Sequence, residues 1–573
     1  MRARSVSVVI AGSGGAGAIT AGTLLLEAAG QAGLYAYMTR SSGAQIRGGE
    51  AVAMVRIAGE PIVSHEDHFH LLVGIDWENM GKFAAEMPLA PESLIIGDPE
   101  EGEVPAEIAA SGARRIEVPL KKIAKAVRLG RPNMVALGII AALLELPTEA
   151  FSAVLARALG RKGEEVVAAS IAAVKAGTES VADVARIGAL APRRGDAMAR
   201  WNISGNEAAG YGAIRGGVRF VAAYPITPAT EILEWMAPAL EKVGGVLVQA
   251  EDELASVNQI IGASFGGTPA LTATSGPGLS LMTESIGLAV SSETPIVVIN
   301  VMRGGPSTGI PTKSEQSDLN IAVYGLHGDA PHLVLAANSI PDCLNTTQWA
   351  VYLAETLQTA AIVLSDQAQG QARAIVDRPR ELSLSARRET YTAKANGERY
   401  LRYALTESGV SPMAIPGTPG CQYTADGLEH TQAGVPSSQS ADHVAQLDKR
   451  VHKLIGYDYG ERWADIEGEG DVAVLTWGSC TGPAREALRR LHDQGRGARL
   501  VSLRLLAPAQ PERLAQVMAG VRRVLVVEQS HGAQFVRFLR AHYDLPAEVK
   551  TLHRPGPLPI RPIEIYERLV NWS

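Results

Sequence analysis

Apolar, β-branched blocks alternate along this chain with segments whose apolar positions recur at helical spacing, a rhythm that predicts an α/β protein of several domains. The first block, Val6-Ser7-Val8-Val9-Ile10, predicts a buried strand over residues 6–11. It runs into the glycine-rich turn Gly12-Ser13-Gly14-Gly15-Ala16-Gly17 and then an apolar helix over about 19–29. Further strands are expected over 34–38, 51–57 and 71–75. Pro132-Asn133-Met134 opens a helix that is apolar nearly all round through residue 144, so it belongs in a core or an interface. The Ala-rich run 152–176 reads as two more helices.

The rhythm breaks over 188–205, where Pro192, Arg193, Arg194 and Gly195 suggest a linker. It resumes over 206–384 with strands expected at 220–223, 245–249, 270–273, 296–301 and 360–364. Residues 385–468 are richer in Pro, Gly and Ser and read as an extended connector, a kind of segment that is more often functional than idle. A last α/β unit is expected over 469–573, with strands at 472–477, 499–503 and 524–528. The expected division is therefore 1–187, a linker 188–205, 206–384, a connector 385–468, and 469–573.

Composition narrows the function. A chain of 573 residues, 46% hydrophobic, can fill three or four domain cores. Its net charge of −7 argues against nucleic acid, whose binding needs a counterion-releasing basic surface. Cys343, Cys421 and Cys480 lie far apart with no CxxC, which fits a reducing compartment and is too few for an iron–sulfur cluster. Arg2 and Arg4 before an apolar run superficially suggest a secretion signal, but strand, glycine turn and helix is the better reading. No run is apolar enough to span a bilayer, and a cytoplasmic protein is expected.

Three clusters near the N-terminus admit two readings each. Gly14 and Gly15 could bring an anion to the N–H groups of the following helix, or simply make a tight turn. A dinucleotide fingerprint would also want an acidic residue about 20 positions on, where Thr39 and Arg40 stand. Arg47 beside Gly48 and Gly49 repeats the theme, or is a surface turn. His65, His68 and His70 could ligate zinc, but alternating histidines at a strand entry are the plainer account.

The central unit holds sharper candidates. Thr227 sits between Pro225 and Pro228 where a strand ends, the edge at which open α/β sheets bind ligands; the alternative is a turn with a threonine cap. Among Glu251, Asp252 and Glu253, one carboxylate is expected to turn inward and the others outward. Burial would raise the pKa of the inward one unless a donor binds it. Arg303 ends a strand beside Gly304 and Gly305, where its fork could take a carboxylate bidentately, or it caps a helix or pairs with Glu251.

Tyr224-Pro225-Ile226-Thr227-Pro228, the acidic triplet and Arg303-Gly304-Gly305-Pro306-Ser307-Thr308-Gly309, in that order, resemble the half of a thiamine-diphosphate site carried by the alpha chain of 2-oxoacid:ferredoxin oxidoreductases. The likeness extends over nearly the whole chain. Residues 1–185 resemble the family's gamma chain, 206–380 its pyrimidine-binding domain, and 470–573, with Glu528-Gln529-Ser530-His531-Gly532, its transketolase-like C-terminal domain. The resemblance implies a gamma–alpha fusion in which Glu253 activates the cofactor's pyrimidine and Arg303 and Thr227 hold the substrate. Tyr224 and Lys313 would add substrate contacts, and Pro225, Ile226, Ser275 and Gly276 cofactor contacts. It implies coenzyme A near Arg47, Gly14 and Gly15.

The chain has no GDG followed by NN, so the resemblance also implies a beta subunit that holds Mg2+, the diphosphate and a 4Fe–4S cluster, in an assembly of two chains of each kind. The implied reaction is the reversible, coenzyme A-dependent oxidative decarboxylation of a 2-oxoacid with electrons passed to ferredoxin. The fused arrangement and the 303–313 run look most like 2-oxoglutarate enzymes that form succinyl-CoA, with Lys313 meeting the distal carboxylate. Pyruvate or a branched-chain 2-oxoacid, a ferredoxin-independent thiamine enzyme of transketolase or dehydrogenase type, and a nucleotide-binding scaffold are the alternatives.

Overall fold

The computed structural model describes residues 4–43, 49–192, 199–392, 399–546 and 548–572. It divides into two compact units, one built from Met1–Ser204, Gln371–Arg380 and Ile560–Glu564, the other from Gly205–Gly370, Glu381–Pro559 and Ile565–Ser573.

In the first unit the apolar opening forms the strand Ser5–Ser13, inside an eight-stranded mixed sheet. It pairs antiparallel with Glu50–Ala58 and parallel with Phe69–Gly74. Alternate residues feed two cores, as the period of a strand requires. Val6, Val8 and Ile10 pack with the helices Ala18–Gln31, Pro132–Leu143, Thr148–Leu159 and Glu164–Glu179. Val9 and Ala11 pack with Leu72, Trp77, Met80 and Phe83 on the opposite face. The Pro132–Leu143 helix is buried from Asn133 to Leu143, as its all-round apolar pattern predicts. It lies so close to Glu164–Glu179 that a methyl group at Gly138 would overlap the Val174 carbonyl. Arg200–Ser204, expected within a linker, is instead an edge strand, paired with the distant strand Arg373–Asp377. Its short Trp-Asn-Ile-Ser core lacks the run of β-branched residues that marks the other strands. Arg47, and residues 193–198 of the expected linker, lie outside the described residues.

The second unit contains two sheets. Six mutually parallel strands stand in the order Leu333–Ala336, Ala360–Asp366, Ile296–Met302, Ala270–Thr274, Phe220–Ala223, Val246–Gln249. Leu505–Ala507 adds an antiparallel edge. The chain reaches that edge directly from Arg499–Leu503, which belongs to a five-stranded sheet with Ala464–Glu467, Val472–Trp477, Arg523–Glu528 and Glu548–His553. At the crossing, Arg504 donates to both oxygens of Asp342 at 3.1 and 3.0 Å and to Asp465 at 2.6 Å, so a buried guanidinium is fully matched by carboxylates. Among the described residues no helix is long and apolar enough to cross a membrane.

The connector, expected as an extended segment, holds a helix, Ser440–Ile455, in which Val444, Leu447, Val451, Leu454 and Ile455 recur at helical spacing. Gln446, Lys449, Arg450 and Lys453 face inward, while Val444, Val451 and Ile455 are exposed. The buried cations meet Glu293, which is wholly shielded: Lys453 donates to it at 3.0 Å, Lys449 is also bonded to it, and Arg402 donates to its backbone carbonyl at 2.8 Å. Burial pushes the Lys453 ammonium down to about 7, with Glu293 opposing the shift. Between about 7 and the ordinary lysine value of 10.5 the folded protein therefore binds fewer protons at this site than the unfolded chain, and stability rises with pH across that window. Lys453→Met should give a visibly shallower rise in apparent melting temperature between pH 7 and 10 than the parent shows. Parallel curves for the two proteins would contradict this account.

Candidate functional site

Four adjacent strands of the parallel sheet, Ile296–Met302, Ala270–Thr274, Phe220–Ala223 and Val246–Gln249, end at one edge and deliver Arg303, Ser275, Thr227 and Glu253 there. This is where a parallel α/β sheet presents its loops and helix N-termini. Asp252 starts the helix Glu253–Phe265, its carboxylate accepting from the Ala255 N–H at 2.6 Å. That cap fixes the triplet: Glu251 and Asp252 are exposed, and Glu253 turns inward at 7% exposure. Among the described residues no donor hydrogen-bonds to the Glu253 carboxylate. It lies against Gly278, where a Cβ would stand 2.7 Å from its Cγ and 2.9 Å from Oε1.

Arg303 is 7% exposed. Its Nη1 donates to the Thr227 carbonyl at 2.6 Å, and its Nε has no partner. Burial pulls the guanidinium below its ordinary value, opposed by the charges of Asp318 and Glu253. Arg303 neither caps a helix nor pairs with Glu251. The Thr227–Pro228 bond is cis, and Thr227 meets Arg303 through its carbonyl while its side chain is exposed. Tyr224 is 40% exposed on the same turn, with Pro225 and Ile226 half-buried. The run after Arg303 folds back on itself: Gly304 N–H donates to the Lys313 carbonyl at 2.9 Å and Ile310 N–H to the Gly304 carbonyl at 2.8 Å. Lys313 is thereby returned to the strand end that carries Arg303.

Ser275 precedes the helix Gly276–Ser291 and is fully buried with its hydroxyl unpartnered. Two residues outside the sequence expectation join it. Asn300, buried in the otherwise apolar strand Ile296–Met302, leaves its Oδ1 unpartnered and donates from Nδ2 to Asp318 at 2.9 Å. Burial raises the Asp318 carboxyl, and the Asn300 hydrogen bond partly opposes this. The signal for Asn300 was a single amide within a run of apolar strand residues; Asp318 carried none beyond its place before a short helix. A shielded carboxylate and an unpartnered hydroxyl beside the helix turn of Gly278, which Thr274 and Glu253 pack against closely, fit a flat polar ring better than they fit a metal. Among the described residues no three His, Cys, Asp or Glu side chains are arranged to hold one.

In the first unit the glycine turn borders a cavity of about 660 Å³ lined by Ser13, Gly15, Gly17, Lys121, Arg131 and Asn133 among others. Gly15 and Gly17 adopt φ of +102° and +87°, a conformation that only glycine takes without strain. The helix Ala18–Gln31 has no acidic residue in its first turn, but Asp76 accepts from the Ser13 N–H and hydroxyl at 2.9 and 2.8 Å. Gly14 is exposed on the turn. His65 bonds to Thr39 at 2.7 Å, and His70 accepts from the Ser7 N–H at 3.0 Å.

Comparisons with known proteins give this architecture a family. Residues 211–449 match the family described as pyruvate flavodoxin/ferredoxin oxidoreductase, thiamine diphosphate-binding. Residues 7–180 match pyruvate ferredoxin/flavodoxin oxidoreductase, and 461–564 the transketolase C-terminal domain. The 2-oxoglutarate synthase subunit KorA of Methanothermobacter marburgensis is 34% identical over 65% of this chain and 98% of its own length. The 2-oxoacid:ferredoxin oxidoreductase subunit alpha of a Sulfolobus species is 30% identical over 92% of this chain and 91% of its own. The solved 2-oxoglutarate:ferredoxin oxidoreductase of Magnetococcus marinus, which holds 2-oxoglutarate, coenzyme A and succinyl-CoA, matches 99% of both chains at 36% identity and a TM-score of 0.91. The chain belongs to the 2-oxoacid:ferredoxin oxidoreductase family, as an alpha chain with a fused gamma portion.

Gly278→Ala tests the close approach at the Glu253 carboxylate. The added methyl would overlap the Thr274 hydroxyl and crowd Glu253, and a displacement of about 1 Å at a reacting group can cost on the order of 10²-fold in rate. Oxoacid-dependent activity should fall by roughly that factor while the far-UV circular dichroism is unchanged. Activity within twofold of the parent would show that the space beside Gly278 is not used.

Proposed function

We propose that this chain is the alpha subunit, with its gamma portion, of an enzyme that converts 2-oxoglutarate and coenzyme A to succinyl-CoA and carbon dioxide with electrons passed to ferredoxin, a reaction open to reversal. The observation that carries the reading is the Glu253 carboxylate, buried without a protein donor on the edge that also presents Arg303. Likeness along the whole chain to the Magnetococcus enzyme, whose structure holds 2-oxoglutarate and succinyl-CoA, supports the choice of oxoacid. So do the names of the KorA relatives.

Bound thiamine diphosphate supplies the electron sink for decarboxylation. Glu253 would hydrogen-bond the pyrimidine N1′ and hold the proton there, and acid–base help of this kind is worth about 10²–10⁴-fold. Ser275 and Gly276 at the helix entry, with Pro225 and Ile226 across the edge, bound the ring. Arg303 holds the 2-oxoacid carboxylate through the donors that the Thr227 carbonyl leaves over, and Thr227 and Tyr224 line the mouth. Lys313 supplies the charge for the distal carboxylate. Coenzyme A is held at the glycine turn of the gamma portion, with Gly14, Gly15 and Arg47 near its phosphates and the cations Lys121 and Arg131 on the cavity wall. A beta subunit carries Mg2+, the diphosphate site and a 4Fe–4S cluster, in a heterotetramer of two chains of each kind in the cytoplasm. The working division of the chain is gamma-type 1–187, pyrimidine-binding 206–384, connector 385–468 and transketolase-like 469–573, with the edge strand Arg200–Ser204 between the first two.

The enzyme co-purified with its partner should reduce ferredoxin with a kcat/KM for 2-oxoglutarate well above those for pyruvate and 2-oxoisovalerate. Glu253→Gln should lower kcat by about 10²-fold or more. A preference for pyruvate would replace the substrate assignment, and near-parent turnover in the variant would remove Glu253 from the chemistry.

A further inference from the structure

Three successive carbonyls of the turn after the strand Phe220–Ala223 are each held by a different group. The Ile226 carbonyl accepts from the N–H groups of Ala229 and Thr230 at 2.8 and 3.1 Å, bonds the turn makes within itself. The Thr227 carbonyl accepts from Nη1 of Arg303 at 2.6 Å. The Pro228 carbonyl accepts from Nδ2 of Asn206 at 3.0 Å, in a buried contact between residues 22 positions apart. The same amide nitrogen stands 3.4 Å from a carboxylate oxygen of Glu231. Asn206 is 1% exposed, in the first turn of the helix Gly205–Gly216. Two glycines make that position possible: a Cβ at Gly205 would overlap the Gln369 carbonyl, and one at Gly370 would stand 2.6 Å from Asn206 Oδ1. The start of the helix is pressed against the backbone that follows the strand Ala360–Asp366, and the amide has little freedom to turn.

The bond to Pro228 bears directly on the one to Thr227. The Thr227–Pro228 peptide is planar and the pyrrolidine ring fixes φ of Pro228, so a single soft torsion, ψ of Pro228, separates the two carbonyls. A donor that holds the second therefore holds the direction of the first. The Thr227 carbonyl is in turn the one hydrogen-bond partner of Arg303 among the described residues, and Nε of the guanidinium has none. Because a guanidinium is planar, pinning one of its N–H groups sets where the others point. Asn206, Pro228, Thr227 and Arg303 thus form a chain of direct contacts that ends at the group assigned to the substrate carboxylate.

We infer that Asn206 is a positioning residue for oxoacid binding: by holding the Pro228 carbonyl it fixes the Thr227 carbonyl, and through it the direction in which Arg303 presents its remaining donors. The inference rests on the assignment of the substrate carboxylate to Arg303. Without the amide, a buried carbonyl is left unpaired and the turn shifts toward other donors. The guanidinium follows the Thr227 carbonyl and loses the alignment that a two-point grip on a carboxylate requires.

The test uses steady-state kinetics of the holoenzyme with its partner subunit. Asn206→Ala should raise the KM for 2-oxoglutarate by about tenfold, the size expected when one buried hydrogen bond is lost. The value of kcat at saturating oxoacid and the KM for coenzyme A should stay within about twofold of the parent, the signature of weakened substrate binding alone. A fall in kcat or a rise in both KM values would mark a general loosening of the fold and refute the role. Arg303→Ala should raise the KM for 2-oxoglutarate by itself, and adding Asn206→Ala to it should cost little more, because the amide then has nothing left to aim. If Arg303→Ala leaves the KM unchanged, the substrate assignment is wrong and the inference falls with it. If Arg303→Ala raises it but Asn206→Ala does not, or costs as much in the Arg303→Ala background as in the parent, the assignment stands and the role of Asn206 is refuted. Should Asn206→Ala not fold, Gly370→Ala crowds Asn206 Oδ1 and displaces the same amide without removing it. A rise confined to the KM for 2-oxoglutarate then supports the inference, and a KM equal to the parent's overturns it.

Discussion

The site depends on the electrostatics of one helix. Gly276–Ser291 runs through the second unit with carboxylates at its entry, Glu253 and Asp318, and cations at its exit. At the exit Arg402 and the buried lysines hold Glu293, while Arg450 and His430 reach the Ser291 carbonyl. Negative groups at a helix N-terminus and positive groups at its C-terminus both complement the macrodipole. The arrangement steadies the helix at the end where Gly276 and Gly278 meet the two carboxylates. Gly278 shows why stillness matters, because the distance between that turn and Glu253 leaves no room for one methyl group.

A carboxylate that loses water without gaining a donor is costly, and a fold keeps such a group where something else satisfies it. At this edge it is the Ser275 hydroxyl and the Asn300 carbonyl oxygen that are sealed without partners, while Glu253 is 7% exposed. Two buried guanidinium groups in the same unit are compensated within the chain. Arg504 is met by Asp342 and Asp465, and Glu355 by Arg388 at 2.7 Å. Buried polar atoms without partners occur at this edge, in Ser275, Asn300 and the Nε of Arg303, and elsewhere in the unit as well, as in Asp366 and Tyr403.

Much of this was legible in the sequence because periodicity and punctuation carry it. Ile296–Met302 is apolar but for Asn300, Ala270–Thr274 but for its threonines, and Pro225 and Gly304 mark where strands of this sheet end. The inward turn of Glu253 was expected as one of three, and the Asp252 cap selects it. Asp318 was not legible, because its proximity to Gly276 arises from the sheet order and not from spacing along the chain. Nor was Arg200–Ser204, whose partner strand Arg373–Asp377 lies some 170 residues away and supplies the pairing that its own residues do not announce.

The helix Ser440–Ile455 has an unusual inward face. A binary pattern assumes that apolar positions face inward, and here it is partly reversed, with Lys449, Arg450 and Lys453 inside beside Leu454 and with Val444, Val451 and Ile455 outside. The reversal is tolerable because Glu293 and Glu429 stand at the buried ends of those side chains, and long aliphatic stems contribute apolar contact on the way in. Removing one partner from such a network leaves an unmatched charge in a dry interior, which is far more damaging than the net worth of the pair. The connector therefore holds the exit of the Gly276–Ser291 helix through charge matching rather than apolar packing. An irregular stretch that reads as a spacer in the sequence is what fixes the far end of the element on which the site is built.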